Sequence, residues 1–75
     1  MKWQSLESRM FVSSAYDDDR CLLYLRFQSG EVYRYFDVSA AQYAAFLEAE
    51  SHGRYFLTHI RNRFRYDRLT KLQAA

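Results

Sequence analysis

Apolar and polar residues alternate through the first half of the chain. In Leu23-Tyr24-Leu25-Arg26-Phe27, one side carries Leu23, Leu25 and Phe27 and the other Tyr24 and Arg26, the period of a strand. Glycine at position 30 interrupts this pattern, and Val32-Tyr33-Arg34-Tyr35-Phe36 resumes it. Strands over residues 21–27 and 32–36 joined by a tight turn are therefore predicted. Arg9 to Tyr16 predicts an earlier strand, with Met10, Val12 and Tyr16 on one face and Phe11 on the other. Asp17-Asp18-Asp19-Arg20 follows as a polar turn. Residues 1–7 read as a lead-in whose Trp3 and Leu6 fold back on the core.

The hairpin register follows from the same pattern. A two-residue loop would set Phe27 against Val32 and Leu25 against Arg34, mixing core and solvent faces. A three-residue loop, Ser29-Gly30-Glu31, sets Phe27 against Tyr33 and Leu25 against Tyr35. The second register gathers Leu23, Leu25, Phe27, Tyr33 and Tyr35 on one face, and a one-residue slip would turn every side chain over. Tyr24, Arg26, Arg34 and Phe36 then share the opposite face, with Arg26 directly across from Arg34. Like charges so opposed are mildly destabilising. The pair calls for stacking on Tyr24 and Phe36, a carboxylate, or an anionic ligand.

The period changes at Asp37-Val38-Ser39. Ser39 is suited to cap a helix over residues 40–50, with Val38 placed for a hydrophobic staple to Tyr43. Tyr43, Phe46 and Leu47 would face the sheet. Gly53 would end this helix as a left-handed cap, leaving Ser51 and His52 in its last turn. A second helix from Arg54 to about Arg65 would place Phe56, Leu57, Ile60 and Phe64 within one arc. Arg54, Thr58, Arg61, Arg65 and Arg68 would line another, at spacings of four, three, four and three. The predicted architecture is α+β, a three-stranded antiparallel meander followed by two helices packed on one face (β-β-β-α-α).

Size makes this one domain of 75 residues, close to the lower limit for folding without staples. A lone cysteine, Cys21, excludes an internal disulfide, and its mid-strand place predicts a small buried hydrophobe. The core must come from apolar packing, to which seven Tyr, six Phe and one Trp contribute. With proline absent and glycine only at 30 and 53, each glycine is expected where φ is positive. No apolar run reaches the roughly 18 residues of a membrane span, no signal-peptide segment is seen, and the expected compartment is the cytoplasm.

Charge is distributed unevenly. Residues 1–53 hold five basic and eight acidic groups, a net of −3; residues 54–75 hold six basic and one acidic, a net of +5. Together they give the formal +2 of the chain. Such asymmetry points to an anionic partner for the C-terminal segment, or to a solvated basic tail over residues 67–75. Catalytic chemistry is not expected: no acid, base and nucleophile converge at a recognisable spacing, and Ser51 and His52 are mere neighbours. His52 and His59 lack a third ligand, and the aspartate run lacks the alternation of a calcium loop, so neither a metal nor a cofactor is expected.

Taken together, Tyr16-Asp17, Leu23-x-Leu25-x-Phe27-x-x-Gly30, Tyr33-x-Tyr35, Val38, Tyr43, Ser51-x-Gly53, Phe56 and Ile60-Arg61 form a specific pattern. In these residues, from about Ser8 to Tyr66, the chain resembles the KTSC domain family. That family is named for its place at the C-terminus of some lysyl-tRNA synthetases and also occurs as small bacterial proteins. Ser39 stands where the family commonly has proline, and Leu57 where it commonly has a polar residue. The resemblance implies a domain without an assigned activity, for which RNA binding has been suggested.

Aromatics that stack bases and arginines that meet phosphates are the usual means of holding single-stranded RNA. The expectation is a non-catalytic module binding RNA or another nucleic acid. Tyr24, Arg26, Arg34 and Phe36 would form the stacking face, and Arg54, Arg61, Arg65 and Arg68 would meet phosphates. The alternative is a protein-interaction or homodimerisation module using the same open face.

Overall fold

The computed structural model describes residues 1–69. Strands β1 (Trp3–Ser5), β2 (Phe11–Asp17), β3 (Leu22–Phe27) and β4 (Val32–Tyr35) precede helix α1 (Ala40–Glu48). Helix α2 (His52–Tyr55) runs on into a π-helical turn, Phe56–Ile60, and strand β5 (Tyr66–Leu69) follows. The strands form one antiparallel sheet in the order β1-β2-β3-β4-β5. The α+β class stands, but the sheet has five strands, not three. Residues 3–5, expected as a lead-in, form one of the added strands. The other takes residues 66–69, expected to be helix continuation and basic tail. Lys71, part of the expected tail, lies outside the described residues.

The β3–β4 faces are as the alternation requires, with Leu23 paired to Tyr35 and Leu25 to Tyr33. The pairing is nevertheless two residues away from the expected one, a shift that preserves every face. Phe27 N–H donates to Glu31 O at 2.9 Å, and Gly30 N–H donates to Phe27 O at 2.9 Å, so the loop is Gln28-Ser29-Gly30. Gly30 takes φ 99° there, as three-residue hairpin loops prefer. Arg26 consequently faces Val32, and Arg34 faces Tyr24; the expected opposition of two arginines does not occur.

Strand β2 departs further from simple alternation. Phe11 pairs with Phe27, but Ser13 pairs with Arg26, so Val12 is the extra residue of a bulge. That insertion brings Phe11 onto the same face as Ser14 and Tyr16, where strict alternation would have opposed them. Val12 is correspondingly exposed and Phe11 fully buried. The inner face and helices enclose a core of Phe11, Leu23, Leu25, Tyr35, Val38, Phe46, Phe56 and Ile60. Burial of each such side chain contributes about 1.5–3 kcal/mol.

Ser39 caps α1 with a full capping box: its hydroxyl accepts from Gln42 N–H while the Gln42 side chain accepts from Ser39 N–H. Tyr43 seats this helix by stacking on Tyr16 at 4.9 Å and by hydrogen bonding to the buried Ser14 hydroxyl at 2.9 Å. Helix α1 does not run to the expected cap at Gly53. The helix stops at Glu48, and Ser51 instead opens α2, its hydroxyl accepting from Arg54 N–H at 3.1 Å. Gly53 lies within α2 without a positive φ. A Cβ there would sit 3.4 Å from Met10 Cε, an ordinary contact with the end of a flexible side chain.

Other turns use residues with side chains. Cys21, Asp37 and Asn62 take φ values of 56°, 61° and 64°. Cys21 is thus a half-buried turn residue before β3, not a mid-strand hydrophobe. At the end of α2, Arg61 N–H donates to Phe56 O at 2.8 Å, Arg61 is extended, and left-handed Asn62 reverses the chain. Helix continuation to Arg65 is thereby excluded. The π-helical turn leaves Leu57, expected on the apolar arc, 48% exposed.

Candidate nucleic-acid interface

The helices pack against the inner face of the sheet and leave its outer face open to solvent. One row of paired residues crosses all five strands there: Trp3, Ala15, Tyr24, Arg34 and Asp67. Ala15 is fully buried, and its small side chain lets the Trp3 and Tyr24 rings meet above it, edge to face with centroids 6.2 Å apart. Arg26, diagonal to this row, lays its guanidinium 5.1 Å from the Trp3 ring centre.

Arg34 lies 5.3 Å from the Phe36 ring centre, and Arg65 lies 4.6 Å from the same ring. Phe36 N–H donates to Arg65 O at 2.9 Å, which carries the β4–β5 pairing one step beyond the strands. Arg34 also bonds Asp67 at 2.7 Å. The Asp67 carboxylate and then the Tyr24 hydroxyl hold the Arg34 guanidinium more firmly charged than a free arginine. Its Nε is buried without a hydrogen-bond partner among the described residues.

The structure brings together Tyr24, Arg26, Arg34, Phe36 and Arg65 from the expected set. It separates the other three. Arg54 stands in the first turn of α2. Arg61 follows the π-helical turn and borders a cleft on the inner side of the sheet. Arg68 alternates with Asp67 along β5, so it faces the inner side, where it pairs with Glu31 at 3.0 Å. The expected arginine stripe depended on one continuous helix, and the chain reversal at Asn62 disperses it.

Trp3 is the interface residue that the periodic pattern missed. Three residues of strand are too few to show a period, and the tryptophan reads as a core residue by hydrophobicity alone. Ala15 leaves room for a large ring beside Tyr24, but only the β2–β3 register sets the two opposite each other.

This is a small α+β domain with one sheet face largely covered by helices and the other presenting arginines among aromatics. The chain belongs to the KTSC domain family, whose model matches residues 7–64. It is 41% identical over 56 residues to an uncharacterized protein of Stutzerimonas stutzeri (strain A1501), covering 75% of this chain and 79% of that one. It also superimposes on the crystal structure of a KTSC domain protein from Yersinia pestis with a TM-score of 0.89 and 28% identity. That match covers 92% of this chain and 97% of the other. Among the described residues, no helix is long and apolar enough to cross a membrane.

Proposed function

We propose that this domain is a non-catalytic binding module for single-stranded nucleic acid, RNA foremost. The observation that carries the reading is the outer face, where Trp3, Tyr24 and Phe36 offer ring surfaces and Arg26, Arg34 and Arg65 lie against them. Bases have π-faces that stack on such rings, while guanidinium groups beside them neutralise the phosphates between bases. Three cationic contacts to a single strand would give a log-log salt slope of about −2.

Titration of a fluorescent oligouridylate at several salt concentrations tests this. Binding with that slope, weakened by Trp3→Ala and Phe36→Ala, is the expected result. No binding of RNA or single-stranded DNA at low salt overturns it. In that event a mass that rises with protein concentration in sedimentation, and falls on Phe36→Ser, would identify the outer face as a contact between copies.

A further inference from the structure

On the inner side of the sheet a second feature stands apart from the outer face. A cleft of about 430 Å³ lies between the β4–β5 edge of the sheet and the π-helical turn. Its aromatic wall is Tyr33, Tyr35 and Tyr66. The Tyr33 and Tyr35 rings stack with centroids 6.3 Å apart, and Tyr66 leans on them at 5.6 and 5.7 Å. Tyr35 is almost wholly buried, Tyr33 half-buried and Tyr66 53% exposed, so the wall grades from core to solvent. Phe56 packs edge to face against Tyr35 at 5.7 Å and closes the floor.

The opposite rim is polar. Arg61 and Asn62 line it, and both are placed there by the backbone. The π-helical hydrogen bond from Arg61 N–H to Phe56 O ends the helix one residue late, and left-handed Asn62 turns the chain back toward β5. π-helical turns and left-handed non-glycine residues are concentrated at functional sites. Arg61 has no acidic partner among the described residues, whereas the cleft's one carboxylate, Glu31, is already held by Arg68. The positive charge of Arg61 reaches the Tyr35 hydroxyl and partly offsets the rise in its pKa that burial causes.

We propose that this cleft binds a planar ring bearing an anionic group, with the ring against Tyr33 and Tyr66 and its phosphate or carboxylate on the Arg61 guanidinium. Size agrees, because ligand pockets run from about 300 to 1,000 Å³. Charge agrees as well: a cation would meet the guanidinium of Arg61, and a neutral ring would give it no counter-charge. The inference is independent of the nucleic-acid reading, since it uses the other side of the sheet. A free nucleotide and a nucleotide within a strand share this chemistry.

The test is a titration of the ¹⁵N-labelled full chain, followed by amide chemical shifts, with phenyl phosphate, uridine 5′-monophosphate, inorganic phosphate and an oligouridylate. Phenyl phosphate and the mononucleotide should give saturable shifts centred on Tyr33, Arg61, Asn62 and Tyr66, with inorganic phosphate at least about tenfold weaker. Arg61→Gln should weaken both ring ligands about tenfold or more, the loss expected for one charge-assisted hydrogen bond. Tyr66→Ser, at an exposed position, should weaken them too, and Arg26→Gln should leave them unchanged. Cleft shifts with the mononucleotide but not the oligouridylate identify a free ligand; cleft shifts with both identify a strand nucleotide. The proposal is overturned if no probe saturates the cleft at millimolar concentration, or if Arg61→Gln and Tyr66→Ser both bind as the parent does.

Discussion

Arg34 of β4 donates to Asp67 of β5 at 2.7 Å across a directly paired position of the sheet. The same guanidinium lies over Phe36, so one side chain both ties the last strand to its neighbour and forms part of the aromatic face. Its charge is half-committed to a carboxylate that is itself 49% exposed. Asp67→Asn should therefore tighten binding of single-stranded RNA, because Arg34 keeps its ring contact and loses its competitor. Stability should fall by no more than about 1 kcal/mol, the usual worth of an exposed pair. Paired thermal melts and RNA titrations check this, and unchanged or weaker binding would contradict it.

Trp3 is held on its edge strand by ring contact with Tyr24 and by the Arg26 guanidinium. Trp3→Ala should weaken an oligonucleotide by roughly 5- to 150-fold, the equivalent of about 1–3 kcal/mol per stacked base. The melting temperature should move little, since the ring is 38% exposed and outside the core. A large drop in melting temperature with unchanged affinity would make Trp3 a structural residue.

The two glycines should respond in opposite directions. At Gly30, φ 99° strains any other residue, and Gly30→Ala should destabilise by about 1 kcal/mol or more although open space surrounds it. Gly53 is helical, so alanine gains up to about 1 kcal/mol of propensity against a contact with the flexible end of Met10. Gly53→Ala should be neutral or stabilising in urea denaturation. A left-handed position at Gly53 would instead make both substitutions harmful.

Phe11 is fully buried and touches Phe27, Phe46 and Phe56 with ring centroids 4.9–5.7 Å away. Phe11→Ala should cost about 3–5 kcal/mol. In a domain this small, that is a large part of the total stability. Loss of amide dispersion at 25 °C is the expected outcome, and a well-folded variant would place the centre of the core elsewhere.

Alkali should unfold the domain through its tyrosines. The Tyr16 hydroxyl donates to Val38 O, and burial first, then the neighbouring Cys21, pushes its pKa up to about 12 from an ordinary 10. The folded state thus holds the proton more tightly than the unfolded chain. The resulting stabilisation is complete below pH 10 and is lost as pH rises toward 12. Absorbance at 295 nm should show Tyr16 ionising well above pH 10, and Tyr16→Phe should remove its share of the pH dependence. A Tyr16→Phe variant with the same absorbance titration and the same alkaline stability as the parent would refute this.

The chain by itself determined what depends on local period and local chemistry. The two faces of β3 and β4, a hairpin loop of three residues that includes Gly30, the Ser39 cap and the core roles of Tyr35 and Phe46 follow from alternation, turn preference and capping. So does the grouping of Tyr24, Arg26, Arg34 and Phe36. Tertiary structure decided the rest, because hydrogen bonds between distant segments carry no local signature. A two-residue change of register preserves every face, so alternation cannot choose between Arg34 and Val32 as the partner of Arg26. The bulge at Val12 and the short strand that carries Trp3 exist only against their neighbours. Tyr66–Leu69 has a spacing that also suits a helix, and only pairing with β4 makes it a strand. That pairing sends Arg65 to the outer face, leaves Arg61 beside the tyrosines, and gives Arg68 to Glu31.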